Sequence, residues 1–410
     1  MQPIELNSVR HMNTSVAVTG MGIISAIGNT VEENLTSLVE GRSGLSTISN
    51  LDTIHRDSIK VGEIKLTNEQ LANSLGLGNG HVYSRTALLG VVAAKEAVDN
   101  AGIRSINECR TGLISASSVG GMDLNERYYT SYFNDDKVVR YIHSHDIGNT
   151  TEKIADYLGL KGLVSTISTA CSSSANSIMM GARLIKSGRL DRVIVGGTDA
   201  LAKFTINGFK TLMILSGEEN RPFDNARNGL NLGEAAAYLV LESEEIIRRE
   251  GKKVLARISG YGNANDAFHQ TASSENGDGA YLAMQAALKV AGLTPAQIDY
   301  INVHGTATVN NDLSEGRAIV NLFGGDGIPD FSSTKPYTGH ALAAASAIEA
   351  VYSVLAIKHG IVYPNLNFKT PMEEVDLVPQ TKLKQKSIAH VLSNSFGFGG
   401  NCSTLIFSQS

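Results

Sequence analysis

Two stretches of this chain follow one plan, and that repetition constrains the fold more than any other feature. Residues 164–188 run from a short β-leaning segment rich in Ser and Thr, through Cys171, into a helical pattern of small residues that Gly188 stops. Val164 and Ile167 favour a strand, whereas Ile178, Met179, Ala182, Leu184 and Ile185 recur at helical spacing. Residues 331–360 repeat the pattern. Phe331-Ser-Ser-Thr-Lys335 and a Pro/Gly turn lead to His340, then to an Ala-rich helix over 341–358 with Gly360 behind it. A strand, a turn bearing one reactive side chain and a helix, used twice, point to an internal duplication in which Cys171 and His340 hold corresponding positions.

The remaining segments fit a layered α/β fold. The first half reads as strands over 16–25, 111–117, 192–199 and 233–242, with helices over 31–41 and 85–102. The second half reads as strands over 255–261 and 298–303 with a helix over 279–292. It closes with a strand over 388–393, a turn over 394–400 and a strand over 404–407. A charged helix over 243–251 bridges the two. Residues 1–11 look like a leader before Met12, which leaves an N-terminal half over 12–250 and a C-terminal half over 251–410. The 41 glycines, with abundant Ala and Ser, suit close approach of layers.

Several function classes are disfavoured. A net charge of −5 gives no support to nucleic-acid binding. Gly20-Met-Gly22 lacks the third glycine of a dinucleotide fingerprint and the Lys-Ser/Thr of a P-loop, so both glycines read as turn and packing positions. Three cysteines, Cys109, Cys171 and Cys402, are too few and too scattered for a disulfide framework or a Cys-rich metal site, which fits a reducing cytoplasm. No run approaches the ~18 uncharged apolar residues of a membrane span.

Cys171 sits at a strand-to-helix turn. The positive end of the helix favours an anion there, so the thiol pKa is expected below its usual ~8.5, as a nucleophile requires. Buried cysteines are also commonly inert, and this stretch alone leaves both readings open. His304 and His340 lie at loop starts after apolar strands, where functional residues of such folds collect, although either would serve equally as a structural group. Lys335, five residues before His340, is an exposed cation or an electrostatic partner of that turn. The segment 127–133 concentrates Tyr128, Tyr129, Tyr132 and Phe133, which we assign to packing or a subunit contact ahead of a pocket lining.

Taken together, Thr169-Ala-Cys171-Ser, His304-Gly-Thr-Ala-Thr308, Lys335 through Gly339-His340, and Asn394-Ser-Phe-Gly-Phe-Gly-Gly400 resemble the β-ketoacyl-[acyl-carrier-protein] synthases, of the synthase II type. Arg221-Pro-Phe-Asp224 and Gly233-Glu234 belong to the same pattern, and the likeness runs from about Val16 to Phe407. It implies a thiolase-like duplicated α/β fold in five layers, α/β/α/β/α. It also implies decarboxylating Claisen condensation of a Cys-bound acyl chain with malonyl-acyl carrier protein, giving 3-oxoacyl-acyl carrier protein in fatty-acid or polyene/polyketide elongation.

The resemblance carries roles with it. Cys171 matches the acyl-accepting nucleophile, and His304 and His340 the pair whose ring N–H groups stabilise the enolate. Lys335 matches the lysine that supports them, with Glu349, Asp312 and Glu315 as structural support. The N–H groups of Cys171 and Phe398 match the oxyanion hole, and Phe398 the gate between half-reactions. Thr306 and Thr308 match the threonines along the pantetheine arm, with Phe396 and Gly397 beside the substrate. One oxyanion donor is typically worth ~3 to 4 kcal/mol. No cofactor or metal is implied, and no His-x-x-x-His or paired-Cys spacing occurs.

Departures from the family pattern suggest a specialised branch. Gly400 is followed by Asn401-Cys402, Ala307 replaces a serine, the helix after His340 begins Ala-Leu-Ala-Ala-Ala, and Gly233-Glu-Ala-Ala-Ala replaces a Gly-rich version. A polyene, pigment or aryl-primed chain is the expected substrate class. The implied partner is an acyl carrier protein, docking on local cations among Arg127, Lys137, Arg140, Lys203 and Lys210. The implied assembly is a homodimer, or a heterodimer with a cysteine-less homologue, in the cytoplasm. The alternatives are a non-catalytic chain-length-factor-like subunit, against which Cys171, His304 and His340 argue, and a thiolase, with Cys402 as a second cysteine.

Overall fold

Strand β1 (Val16–Ile24) is buried at every position, as expected of a strand covered on both faces. The computed structural model describes residues 16–78, 80–325 and 327–410, so the expected leader lies outside the described residues. From the first half come β1, β2 (Thr111–Ala116), β3 (Leu163–Ile167), β4 (Arg192–Asp199) and β5 (Ala235–Glu242). The second contributes β6 (Ala256–Asn265), β7 (Tyr300–Asn302), β8 (Asp330–Ser332), β9 (His390–Gly397) and β10 (Asn401–Ser408). All ten hydrogen-bond in one series, β8-β7-β9-β10-β6-β1-β5-β4-β2-β3.

The duplication expected from the sequence is explicit in this order. In the first half, β3-β2 and β2-β4 are parallel while β4-β5 and β5-β1 are antiparallel. In the second, β8-β7 and β7-β9 are parallel while β9-β10 and β10-β6 are antiparallel. The halves join where Val16, Ala17 and Val18 pair with Ile258, Arg257 and Ala256.

The crossover helices repeat as well. α1 (Arg85–Asn100), α2 (Ile147–Leu158) and α3 (Ser173–Lys186) stand where α4 (Asp278–Ala291), α5 (Val309–Phe323) and α6 (Ala345–His359) recur. α1 packs on β1, β5 and β4, and α4 on β6 and β10, forming outer layers. α3 and α6 pack on each other between the halves, α3 against β4, β2 and β10, and α6 against β9 and β5. That gives the five layers. One detail repeats at atomic scale: a Cβ on Gly20 or Gly22 would lie 2.4 or 2.2 Å from the carbonyls of Ala97 and Ala93 on α1. A Cβ on Gly260 or Gly262 would lie 2.4 or 2.1 Å from those of Ala287 and Ala283 on α4. Glycines on both edge-joining strands let a helix backbone approach, so Gly20 and Gly22 are packing positions as expected.

Two expectations change, and a third, the aromatic cluster at 128–133, narrows from packing or a subunit contact toward the contact. The segment over 394–400 is not a turn throughout: β9 runs to Gly397, only Phe398–Gly400 turns, and β10 begins at Asn401. The polar residues that suggested a turn are buried strand residues with partners, Asn394 accepting from Thr404 Oγ1 at 2.8 Å and donating to Glu315 at 3.1 Å. Leu342–His359 does have the length and composition of a membrane span, yet 89% of it is buried inside the fold. It is the central α6, where every residue from Ala345 to Ile357 is buried, so it is apolar all round because protein surrounds it. Finally, Tyr129, Tyr132 and Phe133 are 60%, 37% and 75% exposed. Tyr128 stacks on Tyr141 at 4.3 Å, while Tyr132 and Tyr129 meet Phe133 edge to face at 5.2 and 6.2 Å.

Candidate active site

Cys171 occupies the turn between β3 and α3. Ala170 has φ of +52°, a left-handed conformation that a non-glycine residue adopts only when its surroundings hold it. Those surroundings are hydrogen bonds: Thr169 N–H donates to Ser173 Oγ at 2.8 Å, Ser173 N–H to the Ala170 carbonyl at 3.1 Å, and Ser346 Oγ of α6 to the Cys171 carbonyl at 3.0 Å. The last bond ties the nucleophile turn to the opposite half.

His304 follows β7. Its N–H and that of Gly305 donate to Glu315 at 2.9 and 2.8 Å, and Asp312 accepts from Ala307 at 3.1 Å and Phe223 at 2.8 Å. Both carboxylates lie on α5, so the helix grips the loop by its backbone. His340 follows Gly339, whose φ of +69° and ψ of 177° are open only to glycine. A Cβ on Gly339 would also lie 2.5 Å from the Leu232 carbonyl. The His340 N–H donates to the Asn231 carbonyl at 2.7 Å. Lys335 is 2% exposed, not a surface cation, and its Nζ lies 2.5 Å from Glu349 Oε1.

These elements converge on one cavity of about 380 Å³, lined among others by Cys171, His304, His340, Thr306, Thr308, Phe396, Gly397 and Phe398. The imidazoles of His304 and His340 stand edge to face, centroids 5.4 Å apart at 87°, and Phe396 packs on His304 at 5.6 Å. The Thr306 and Thr308 hydroxyls are 2.9 Å apart. Gly397 lies against the nucleophile turn, where a Cβ would be 2.6 Å from the Thr169 carbonyl and 3.2 Å from the Cys171 nitrogen. The next N–H, of Phe398, favours the thiolate form of Cys171. The site residues expected from the sequence thus either line the cavity or, for Lys335, Glu349, Asp312 and Glu315, hold those that do.

The electrostatics overturn one expectation. Burial pushes the Cys171 thiol up to about 12, against the pull of Lys335 and the Phe398 N–H. Cys171 is 6% exposed, so desolvation of a thiolate outweighs the helix end, which a sequence cannot weigh without knowing depth. Burial, with Lys335 adding to it, holds both His304 and His340 well below the ordinary imidazole range. Both rings are therefore neutral at pH 7 and keep one N–H donor each. Burial likewise raises Glu315 to about 7, against the N–H groups it accepts.

Some site residues carried no sequence signal. Phe209 stacks on Phe398 at 5.9 Å and 19°, although it lies in the other half. Asn401, visible only as a departure, accepts from Ser172 Oγ at 2.8 Å and from Asn176 and Asn263 at 2.9 Å each, joining the nucleophile turn to the end of the Phe398 loop. Asp199, at the end of β4, accepts from the Ser117 and Ser118 hydroxyls at 2.6 Å each and from Ala343 N–H at 2.9 Å. Cys402, beside Asn401, belongs to the apolar cluster of Met284, Leu392 and Ile406 and also borders the cavity, and burial pushes its thiol up to about 12. No group of three or more His, Cys, Asp or Glu among the described residues is arranged to hold a metal ion.

Comparison with known proteins matches residues 13–246 to the N-terminal domain of β-ketoacyl synthases and residues 255–369 to their C-terminal domain. The 3-oxoacyl-[acyl-carrier-protein] synthase 2 of Vibrio cholerae is 35% identical, covering 96% of this chain and 99% of that protein. The solved ishigamide ketosynthase/chain length factor superposes with a TM-score of 0.89 at 32% identity, over 97% of this chain and 99% of that one. A type II polyketide ketosynthase in complex with its acyl-carrier protein and bound to the hexaketide superposes with a TM-score of 0.85 at 27% identity, over 97% and 99%.

Proposed function

This chain belongs to the β-ketoacyl synthase family, and from that membership we propose that Cys171, His304 and His340 perform the condensation. The enzyme is a 3-oxoacyl-[acyl-carrier-protein] synthase acting in fatty-acid or polyketide elongation. The observation that carries the assignment is a single cavity shared by one cysteine and two neutral imidazoles.

In the first half-reaction the Cys171 sulfur attacks the thioester carbonyl of an acyl carrier protein. The carbon–sulfur bond to the pantetheine arm breaks, and the leaving thiol takes the proton. The N–H groups of Cys171 and Phe398 face the carbonyl oxygen while it carries charge. In the second, malonyl-carrier protein loses carbon dioxide, and the electrons of the broken C–C bond form an enolate. The ring N–H groups of His304 and His340 stabilise its oxygen. The enolate carbon then attacks the acyl-Cys171 carbonyl, a C–C bond forms, and the Cys171 thiolate leaves. The Lys335–Glu349 pair keeps a positive charge near the developing oxyanion. These steps balance without a redox cofactor or a metal ion.

Thr306, Thr308, Phe396 and Gly397 line the path of the arm, and Phe398, stacked on Phe209, is the gate. Asp312, Glu315 and Glu349 support the loops. The division into halves over 12–250 and 251–410 is favoured by the repeated strand order. We assign a dimer, with either a second copy or a cysteine-less homologue. Its support is the sheet edge at β3, which pairs on one side only and exposes Leu163 and Val164 at 43% and 36%. A cytoplasmic setting and a polyene, pigment or aryl-primed chain complete the reading. The retained Cys171 argues against a chain-length factor, and the two histidines of the cavity, His304 and His340, against a thiolase. Cys171→Ala should abolish covalent acylation by acyl-carrier proteins, read by intact-protein mass spectrometry. A variant that still took up acyl groups would sink the assignment.

A further inference from the structure

We propose that Asp199 is a positioning residue of the condensation, a single carboxylate that locks the turn after His340 to the loop leaving β2. The inference rests on the condensation reading above and names a residue on which the reaction depends without touching it. Asp199 ends β4, which runs parallel to β2, so it arrives beside the loop over 117–121. It is fully buried and accepts from two directions. From the loop come the Ser117 and Ser118 hydroxyls at 2.6 Å each and the Ser118 and Val119 N–H groups at 3.1 Å. From the second half comes the Ala343 N–H at 2.9 Å, onto the oxygen that Ser118 also holds.

A carboxylate shut away from water needs opposite charge or hydrogen-bond donors around it. Every group that donates to Asp199 is a hydroxyl or a backbone N–H. Burial raises its pKa against those donors. For stability alone, apolar packing of the same volume would serve as well. What the carboxylate adds is a fixed distance between two backbone segments that lie far apart in the chain.

His340 is the reacting group nearest that lock in sequence. Its own backbone is held from one side, the N–H donating to the Asn231 carbonyl at 2.7 Å and the carbonyl accepting from Gly233 at 2.9 Å. Ahead of it the chain passes Leu342, whose φ of +50° a residue with a side chain keeps only under constraint. Ala343 follows, its N–H held by Asp199 and its carbonyl by Ser174 Oγ at 2.6 Å. Asp199 thus completes the hold on the turn that carries His340. Cys171 is tied by bonds of its own, through Ser173 and Ser346. Charge separates the two residues further: Asp199, with Glu349, opposes the Cys171 thiolate that Lys335 favours. Loss of the carboxylate therefore loosens the His340 turn without disfavouring the nucleophile. None of Ser117, Ser118, Asp199 and Ala343 lines the cavity, so their effect on the reaction travels through backbone position.

The test follows the two half-reactions separately in the full chain. Acylation of Cys171 by an acyl carrier protein is read by mass spectrometry, and decarboxylation of malonyl-carrier protein by release of carbon dioxide. Asp199→Asn turns an amide NH2 toward groups that themselves donate. Its kcat for decarboxylation should fall roughly tenfold or more, on the way to the loss that an ångström of misplacement brings. The KM for malonyl-carrier protein and the acylation rate should stay within about twofold of wild type, as for an interaction that serves only the transition state. Ser117→Ala/Ser118→Ala keeps the carboxylate on Ala343 and frees its loop end, and should lower decarboxylation at least about threefold, the scale of an ordinary hydrogen bond. This second variant decides the matter if Asp199→Asn does not fold. Equal losses in both half-reactions, decarboxylation at the wild-type rate in either folded variant, or a raised KM with kcat unchanged overturns the positioning role. A wild-type chain that neither takes up acyl groups nor releases carbon dioxide would instead remove the condensation reading, and the role of Asp199 with it.

Discussion

Lys335 Nζ lies 2.5 Å from Glu349 Oε1 with both side chains at most 2% exposed, a buried ion pair that reaches from the turn before His340 to the middle of α6. Such a pair owes little to solvent and much to having both members. Removing one leaves the other charge buried, which typically costs about 3–5 kcal/mol, whereas replacing both by apolar groups of similar volume is often neutral or better. Lys335→Met should therefore lower the urea midpoint sharply, and Lys335→Met/Glu349→Leu should recover most of the loss while condensation stays impaired. Equal destabilisation by the single and double variants would mean that the pair contributes through packing alone.

Cys171 is the residue on which two physical effects oppose each other. Burial raises the thiol to about 12, while a helix end and nearby cation favour thiolate. If burial prevails, alkylation of Cys171 by iodoacetamide should climb steadily from pH 7 through pH 10 without a plateau. A plateau by pH 8 would show that the helix end wins, and would restore the low-pKa thiol that the turn position suggests.

His304 and His340 give the fold a dependence on acid. Both folded-state pKa values are well below the ordinary 6.5. Above that value folded and unfolded chains bind the same protons at these rings. Below it the unfolded chain takes up protons that the folded chain refuses, so stability falls with pH toward the folded values, by up to about 1.4 kcal/mol per ring for each pH unit. Thermal unfolding between pH 7.5 and 5.5 should show this slope, and His304→Asn/His340→Gln should flatten it. An unchanged slope would assign the acid sensitivity elsewhere.

Gly397 has no room for a side chain, since a Cβ would lie 2.6 Å from the Thr169 carbonyl. Gly397→Ala must separate the Phe398 loop from the nucleophile turn by part of an ångström. Misplacement on that scale typically costs about a hundredfold in rate, so acylation should slow by that order while the melting temperature moves little. Acylation at the wild-type rate would show that the Phe398 N–H is dispensable.

Asn401 replaces a residue of the usual family pattern, yet its side-chain oxygen accepts from Ser172, Asn176 and Asn263. Asn401→Ala removes an acceptor shared by three donors that each keep a second one, at Thr169, Asn176 or Ser403, so the cost should stay near the ~0.5–1.5 kcal/mol of an ordinary hydrogen bond. The substitution should also slow acylation more than decarboxylation, because the bonds reach the cysteine turn and not the histidines. Equal loss in both half-reactions, followed by carbon dioxide release and by mass spectrometry, would rule out that selective role.

The sequence by itself determined the family, the elements and their duplication. Strand and helix periods are local, and Cys171, His304, Lys335 and His340 each fall in or beside the turn that follows a strand. The repeat of one plan told how the halves correspond, which the order β3-β2-β4-β5-β1 and its copy bear out. Tertiary structure decided everything that depends on depth and on pairs distant in the chain. The Cys171 thiol is raised because the cysteine itself is buried, Lys335 is a buried partner of Glu349 and not a surface charge, and α6 is an apolar core helix and not a membrane span. Phe209 on Phe398 and Asn401 on Ser172 have no local signature at all. Their meaning is a distance between two halves, and no periodicity or spacing along one chain encodes that.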